Sequence, residues 1–166
     1  MMCGIPGSGK STWIQNHKAF FSDSCQIISR DQIRFALLGD NDDYFSKEGT
    51  VWAKYVNQSR ASLKNNVDTI LDATHLNESS RAKILTALKG SLNNVEINII
   101  VINPGLEVSL KQNEMREGRS YVPQSAIRRM NSQLTIPTLE EGFDHIYIYT
   151  NENGKANYKI IEKEVK

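Results

Sequence analysis

Short apolar runs alternate along this chain with longer segments in which apolar residues recur every three or four positions. The runs at 25–29, 69–73, 95–103 and 145–150 predict β-strands. The periodic segments predict helices over 10–16, 32–38, 48–65, 79–92, 106–117 and 123–134. In the third of these, Val51, Trp52, Tyr55, Val56 and Leu63 form one apolar face; in the sixth, Pro123 holds a favoured first-turn position. Strands separated by helices imply βαβ units, so the pattern predicts an α/β fold with a central, mainly parallel sheet flanked by helices. The tail differs. Asn153-Gly154 is a strong turn signal before the strand-like residues 158–162, which predicts a C-terminal β-hairpin.

Composition narrows the class. With 166 residues, 39% hydrophobic and 23% charged, the chain is an ordinary globular domain, and disordered, collagenous and disulfide-framework readings are excluded. No repeat or Pro/Gly/Ser linker divides it, so a single domain over 1–166 is expected. The longest apolar runs, such as 99–102 and 35–38, are far below the roughly 20 residues of a spanning helix, and no signal segment opens the chain. A soluble, cytoplasmic protein with no membrane partner is expected. Cys3 and Cys25 alone cannot build a cysteine zinc site. The charge balance of 20 − 19 = +1 leaves any polyanion partner to a local Arg/Lys patch.

One segment carries specific chemistry. Gly4-Ile5-Pro6-Gly7-Ser8-Gly9-Lys10-Ser11-Thr12 satisfies G-x-x-x-x-G-K-[ST], which chance supplies on the order of 0.006 times in such a chain. Gly4, Gly7 and Gly9 permit the backbone turns and close approach by which successive N–H groups of the loop face a phosphate at a helix N-terminus. Lys10 then reaches the β/γ oxygens, Ser11 offers a hydroxyl to Mg²⁺, and Thr12 touches a more distal phosphate. ATP and Mg²⁺ are thus the expected cofactors. Only Met1, Met2 and Cys3 precede Gly4, too few for the buried strand that normally delivers such a loop, so further upstream residues are expected.

The acceptor should lie at the carboxyl ends of the other strands. There Arg30-Asp31-Gln32-Ile33-Arg34 puts a carboxylate at a helix start, where the dipole favours it, and a guanidinium three residues on. Asp31 can take a hydroxyl proton, and Arg34 can hold a substrate phosphate bidentately. The ordinary alternatives are a helix cap and a solvated face.

GIPGSGKSTW, ISRDQIR, LDATHLN and REGRSYVP occur in the order and at the spacings of a known family. The chain resembles the P-loop 5′-hydroxyl polynucleotide kinases, the kinase half of the phage polynucleotide kinase-phosphatase. The resemblance implies that Lys10 and Ser11 bind ATP and metal, that Asp31 is the general base toward a 5′-hydroxyl, and that Arg34 grips the acceptor's 3′-phosphate. It also implies a functional Asp in LDATHLN, matched by Asp72 or by the place of Ala73 depending on one gap. Asp72 can hold the metal's water shell or orient Arg34.

The stretch 106–134 reads as a helical lid whose arginine, Arg116 or Arg119, closes over the phosphates. In the family an essential lid arginine precedes a Gly, a place that strict alignment gives to Glu117. Arg81 either touches substrate or forms a surface salt bridge, and His75 is structural. The expected activity is therefore ATP-dependent phosphorylation of a polynucleotide 5′-OH end in nucleic-acid repair. A small-molecule or nucleoside kinase and a non-kinase ATP-binding switch are the alternatives. No D-x-D-x-T phosphatase or K-x-D-G ligase motif is present.

Overall fold

The structure is a computed structural model that describes residues 1–152 and 155–162. Its strands are β1 (Met2–Cys3), β2 (Gln26–Ser29), β3 (Thr69–Asp72), β4 (Asn98–Asn103), β5 (His145–Glu152) and β6 (Lys155–Glu162). Its α-helices are α1 (Lys10–Asn16), α2 (Arg30–Leu37), α3 (Glu48–Lys64), α4 (Glu78–Leu88), α5 (Leu106–Glu114) and α6 (Gln124–Ser132). The α/β class holds. Strands β1, β4 and β5 run parallel, β6 returns antiparallel to β5 with Glu152 opposite Lys155, and β2 pairs parallel with β3. The predicted turn at Asn153-Gly154 lies outside the described residues.

The expected central, mainly parallel sheet is present as two hydrogen-bonded ladders, in the orders β1-β4-β5-β6 and β2-β3. The ladders meet at β1. Its two residues are matched to Ile100 and Val101 of β4, and toward β3 the chain makes one backbone bond, from Gly4 N–H to the Thr74 carbonyl at 3.0 Å. The edges of β1 and β3 nevertheless lie side by side. Helix ends also shift: α5 stops at Glu114, three residues early, and Pro123 caps α6 from outside.

Strand alternation sorts the core. Ile99 and Val101 pack with Cys3, Phe143 and Ile146 on one side of β4, whereas Ile100 and Ile102 pack with Met2, Ile14 and Ile70 on the other. Helices α3 and α4 bury Val51, Tyr55, Val56, Ile84 and Leu88 against Ile28 of β2 and Leu71 of β3. Each such side chain contributes about 1.5–3 kcal/mol of burial. Because β2 and β3 are parallel and in register from Gln26↔Thr69 to Ser29↔Asp72, Asp72 and the start of α2 emerge at the same sheet end as the loop after β1.

Candidate active site

The loop between β1 and α1 has backbone that only glycine tolerates. Gly4, Gly7 and Gly9 have φ of 149°, 79° and 97°. A Cβ on Gly4 would sit 2.5 Å from the Ile102 carbonyl, and one on Gly7 would collide with the Ser109 carbonyl of α5. At Gly9 there is room, the nearest atom being Gln112 Oε1 at 3.8 Å. Ser8 is buried, and its hydroxyl has no hydrogen-bond partner. Gly9 precedes α1 without a side-chain cap, so the first-turn N–H groups of α1 lack a side-chain acceptor. A glycine cradle, an orphaned hydroxyl and uncapped amides fit a phosphate anion.

Lys10 donates to the carbonyls of Gly4 and Ile5 at 2.8 and 3.0 Å. Burial lowers its pKa, opposed chiefly by the nearby Asp72 charge and, more weakly, by Asp31. For Asp72, burial raises the carboxyl against the pull of Lys10 and a hydrogen bond from Ser29. The hydroxyl of Ser11 and the carboxylate of Asp72 are oxygen donors of the kind Mg²⁺ accepts, and Thr12 lies exposed on the same first turn.

Across the cleft, Asp31 opens α2, with Ser29 as the N-cap. The Asp31 side chain is 63% exposed, whereas that of Arg34 is only 6% exposed. Arg34 donates to Asp31 at 2.5 Å, to the Tyr44 hydroxyl at 3.0 Å and to Glu48 at 2.7 Å, and lies 4.5 Å from the Tyr44 ring centroid. Tyr44 in turn donates to Asp31 at 3.1 Å. Burial, then the Asp31 charge, pushes the Tyr44 phenol up to about 12, so it keeps its proton at neutral pH. Glu48 also pairs with Arg30. Burial alone would raise Glu48, but the hydrogen bond from Arg34 and the Arg30 charge bring it below the usual carboxylate range. Arg34 thus stands as the organiser of a carboxylate cluster rather than on an open helix face. Sequence reading overlooked Glu48; its one signal is a carboxylate in the first turn of α3.

The segment expected as a two-helix lid is anchored. Ser109, Leu110 and Asn113 of α5 and Ile127 of α6 are buried, and Leu110 and Ile127 cluster with Ile5 and Leu76. Helix α5 touches the Gly7 backbone, and residues 115–121 lie between it and α6, with Met115 and Tyr121 exposed. Within them the two candidate arginines separate. The Arg116 charge reaches Lys10 and Asp72, whereas Arg119 donates to the Leu38 and Gly39 carbonyls, the latter at 2.5 Å, just after α2.

Neither expectation for Arg81 holds. It is fully buried, with Nε and Nη2 donating to Glu141 at 2.6 and 2.8 Å and further bonds to the His75 and Thr135 carbonyls. The helix after Asn77 turns its first-turn guanidinium inward because Glu141 waits 60 residues on, a pairing that local sequence does not announce. His75 is structural: its Nδ1–H donates to the Met2 carbonyl at 2.7 Å and its Nε2 accepts from Tyr55 at 3.3 Å.

No described helix is long and apolar enough to cross a membrane. A cavity of about 330 Å³, lined by Phe20, Leu63, Leu85, Leu92 and Ile97 among others, opens away from the phosphate loop and carries none of its chemistry.

A chain of the Pnkp1/Rnl/Hen1 RNA repair complex is similar at 26% identity and a TM-score of 0.59, over 80% of this chain; the present chain spans 42% of that chain's length. A sugar kinase from Janibacter sp. HTCC2649 shares the fold at 15% identity, with a TM-score of 0.59 and coverage of 90% and 82%. A structure from the PezAT toxin-antitoxin system of Streptococcus pneumoniae does so at 18% identity, with the same TM-score and coverage of 90% and 66%. The family model described as an AAA domain (AAA_33) matches residues 1–137, and the chain, with its phosphate loop at the head of a parallel α/β sheet, belongs to that family of P-loop kinase-like domains.

Proposed function

We propose that this domain transfers the γ-phosphoryl group of ATP to the 5′-hydroxyl of a polynucleotide. The observation that carries the reading is Asp31: a carboxylate open to solvent, oriented by Arg34 and Tyr44, and close enough to Lys10 that their charges interact. A nucleotide switch needs no such base facing its phosphate site. The likeness to a chain of an RNA repair complex supports a nucleic-acid acceptor over a small one.

ATP with Mg²⁺ supplies the phosphoryl group and charge neutralisation, held by residues 7–12 with Ser11 and Asp72 on the metal side. The protein's own part is positional. Asp31 accepts the 5′-hydroxyl proton as the acceptor oxygen bonds to the γ-phosphorus and the bond to the β–γ bridging oxygen breaks, leaving ADP. A weak base suffices, because a loose transition state asks little activation of the nucleophile. Lys10 leaves the Gly4 and Ile5 carbonyls for the phosphate oxygens, and Arg116 adds positive charge where it develops. Arg34, nearly buried and bonded to Asp31, Tyr44 and Glu48, acts from behind by fixing the carboxylates of the acceptor side.

The test is transfer of labelled γ-phosphate to a 5′-OH oligonucleotide, beside a 5′-phosphorylated control and free nucleosides. Label on the 5′-OH oligonucleotide alone supports the proposal. Label on nucleosides alone makes this a small-molecule kinase, and ATP binding without transfer makes it a switch.

A further inference from the structure

Beyond the cleft, two cations converge on one aromatic ring. The Arg30 guanidinium lies 5.5 Å from the Trp52 ring centroid, and the Lys83 ammonium lies 4.5 Å from it. Trp52 packs against the core cluster of α3 and α4, and both cations lie over its ring. The charges there are unequal. Arg30 and Arg34 are matched by Glu48 and Asp31, but among the described residues Lys83 has no carboxylate within ion-pair distance. The imbalance extends along the helices. Although the chain carries only +1 overall, residues 49–66 include Lys54, Arg60 and Lys64 and no Asp or Glu. Arg60 bonds from α3 to the Ala87 carbonyl at 3.0 Å, one turn, about 6 Å, beyond Lys83 on α4. Arg30, Lys83 and Arg60 therefore step along the α3–α4 seam, leading away from Asp31.

We infer that the Arg30–Trp52–Lys83 cluster, continued by Arg60, is a binding track for the phosphodiester backbone of the acceptor strand downstream of its 5′ end. The inference rests on the polynucleotide reading above and deepens it. Positive charge at Lys83 that no described carboxylate matches, set over an indole, is what a repeating anion recognises, and a small acceptor has no further phosphodiester to offer it. The track reads backbone rather than bases, so it confers length dependence without sequence preference.

The experiment compares the full chain with Lys83→Glu and Lys83→Arg, both at an exposed position outside the core. Two acceptors are used: a single-stranded 5′-OH decamer and a nucleoside 3′-monophosphate. Expected is a rise of about tenfold in the decamer KM for Lys83→Glu, with the monophosphate KM moving less than twofold and Lys83→Arg restoring the decamer value. Anisotropy of a 3′-labelled decamer should give a log–log salt slope smaller by about one in Lys83→Glu. Equal KM changes for both acceptors, or none for either, overturn the track. Should the wild-type chain phosphorylate no 5′-OH acceptor, the proposed function falls separately. The salt slope then decides: a reduced slope sustains the track, and an unchanged slope or no decamer binding overturns it.

Discussion

Around the phosphate loop the contacts are made of backbone, whereas across the cleft they are made of side chains. On the donor side, glycines with positive φ, uncapped amides and main-chain carbonyls leave no space for a Cβ at Gly4 or Gly7. On the acceptor side, Asp31, Arg34, Tyr44 and Glu48 hold one another through ion pairs and a phenol. A phosphate-binding surface of backbone is indifferent to whatever the phosphate is attached to. A surface of side chains can be retuned one residue at a time, so acceptor identity should reside in α2, α3 and the loop between them.

The contrast can be broken most severely at Gly7. Gly7→Ala drives a methyl into the Ser109 carbonyl at φ 79° and should abolish measurable ATP binding, read by titration calorimetry, while Gly9→Ala, with space available, should lose only about 1–2 kcal/mol to backbone strain. Equal losses at both positions would mean that the Gly7 cradle is not what the backbone geometry implies. Next comes Asp31→Asn, which should lower kcat by about 10²–10⁴ and leave the ATP Kd within twofold, since only the acceptor side changes. Retained transfer would remove Asp31 as the base. Glu141→Ala strands the buried Arg81 charge and should cost about 3–5 kcal/mol in denaturant unfolding. That variant separates a structural arginine from Arg34, whose removal should affect transfer more than stability.

Smaller effects sharpen the picture. Burial lowers the His75 pKa to about 3. The unfolded chain, with an ordinary His near 6.5, therefore binds a proton that the folded chain refuses between pH 3 and 6.5. Stability should fall as pH drops through that window, by up to about 1.4 kcal/mol per pH unit, and His75→Gln should flatten the slope. A slope unchanged by that substitution would shift the effect to other groups. Smallest is Arg119→Ala. Losing two exposed hydrogen bonds to the Leu38 and Gly39 carbonyls should raise acceptor KM by less than about tenfold with kcat held, whereas Arg116→Ala should act on kcat. The reverse pattern would exchange their roles.

Much of this was legible in the sequence because it is local. The loop motif, α1 over Lys10–Asn16 and the apolar face of α3 depend on neighbours within a few residues, and the structure returns them almost unchanged. What was not legible depends on pairing at a distance. Arg34 meets Glu48 across 14 residues and a polar loop, so the pattern showed a helix face where the fold makes a network. Arg81 looked like an exposed first-turn residue because nothing nearby names Glu141 as its partner. The packing of 106–134 was not legible for a similar reason. Helical periodicity in α5 and α6 does not say what those helices meet, and the fold sets Leu110 and Ile127 against Ile5 and brings Gly7 close to Ser109.

Asn113 closes both ends of the arginine segment. The fully buried Asn113 side-chain amide donates to the Val122 carbonyl at 2.7 Å and accepts from the Val122 N–H at 3.1 Å. The chain between these two residues is thereby a loop tethered at its base, which removes part of the backbone freedom of residues 114–121 on folding. A loop closed at its base ranges over a smaller amplitude than a free helical arm, so if the proposed transfer draws on Arg116 or Arg119, their ordering should cost side-chain freedom more than a large rearrangement.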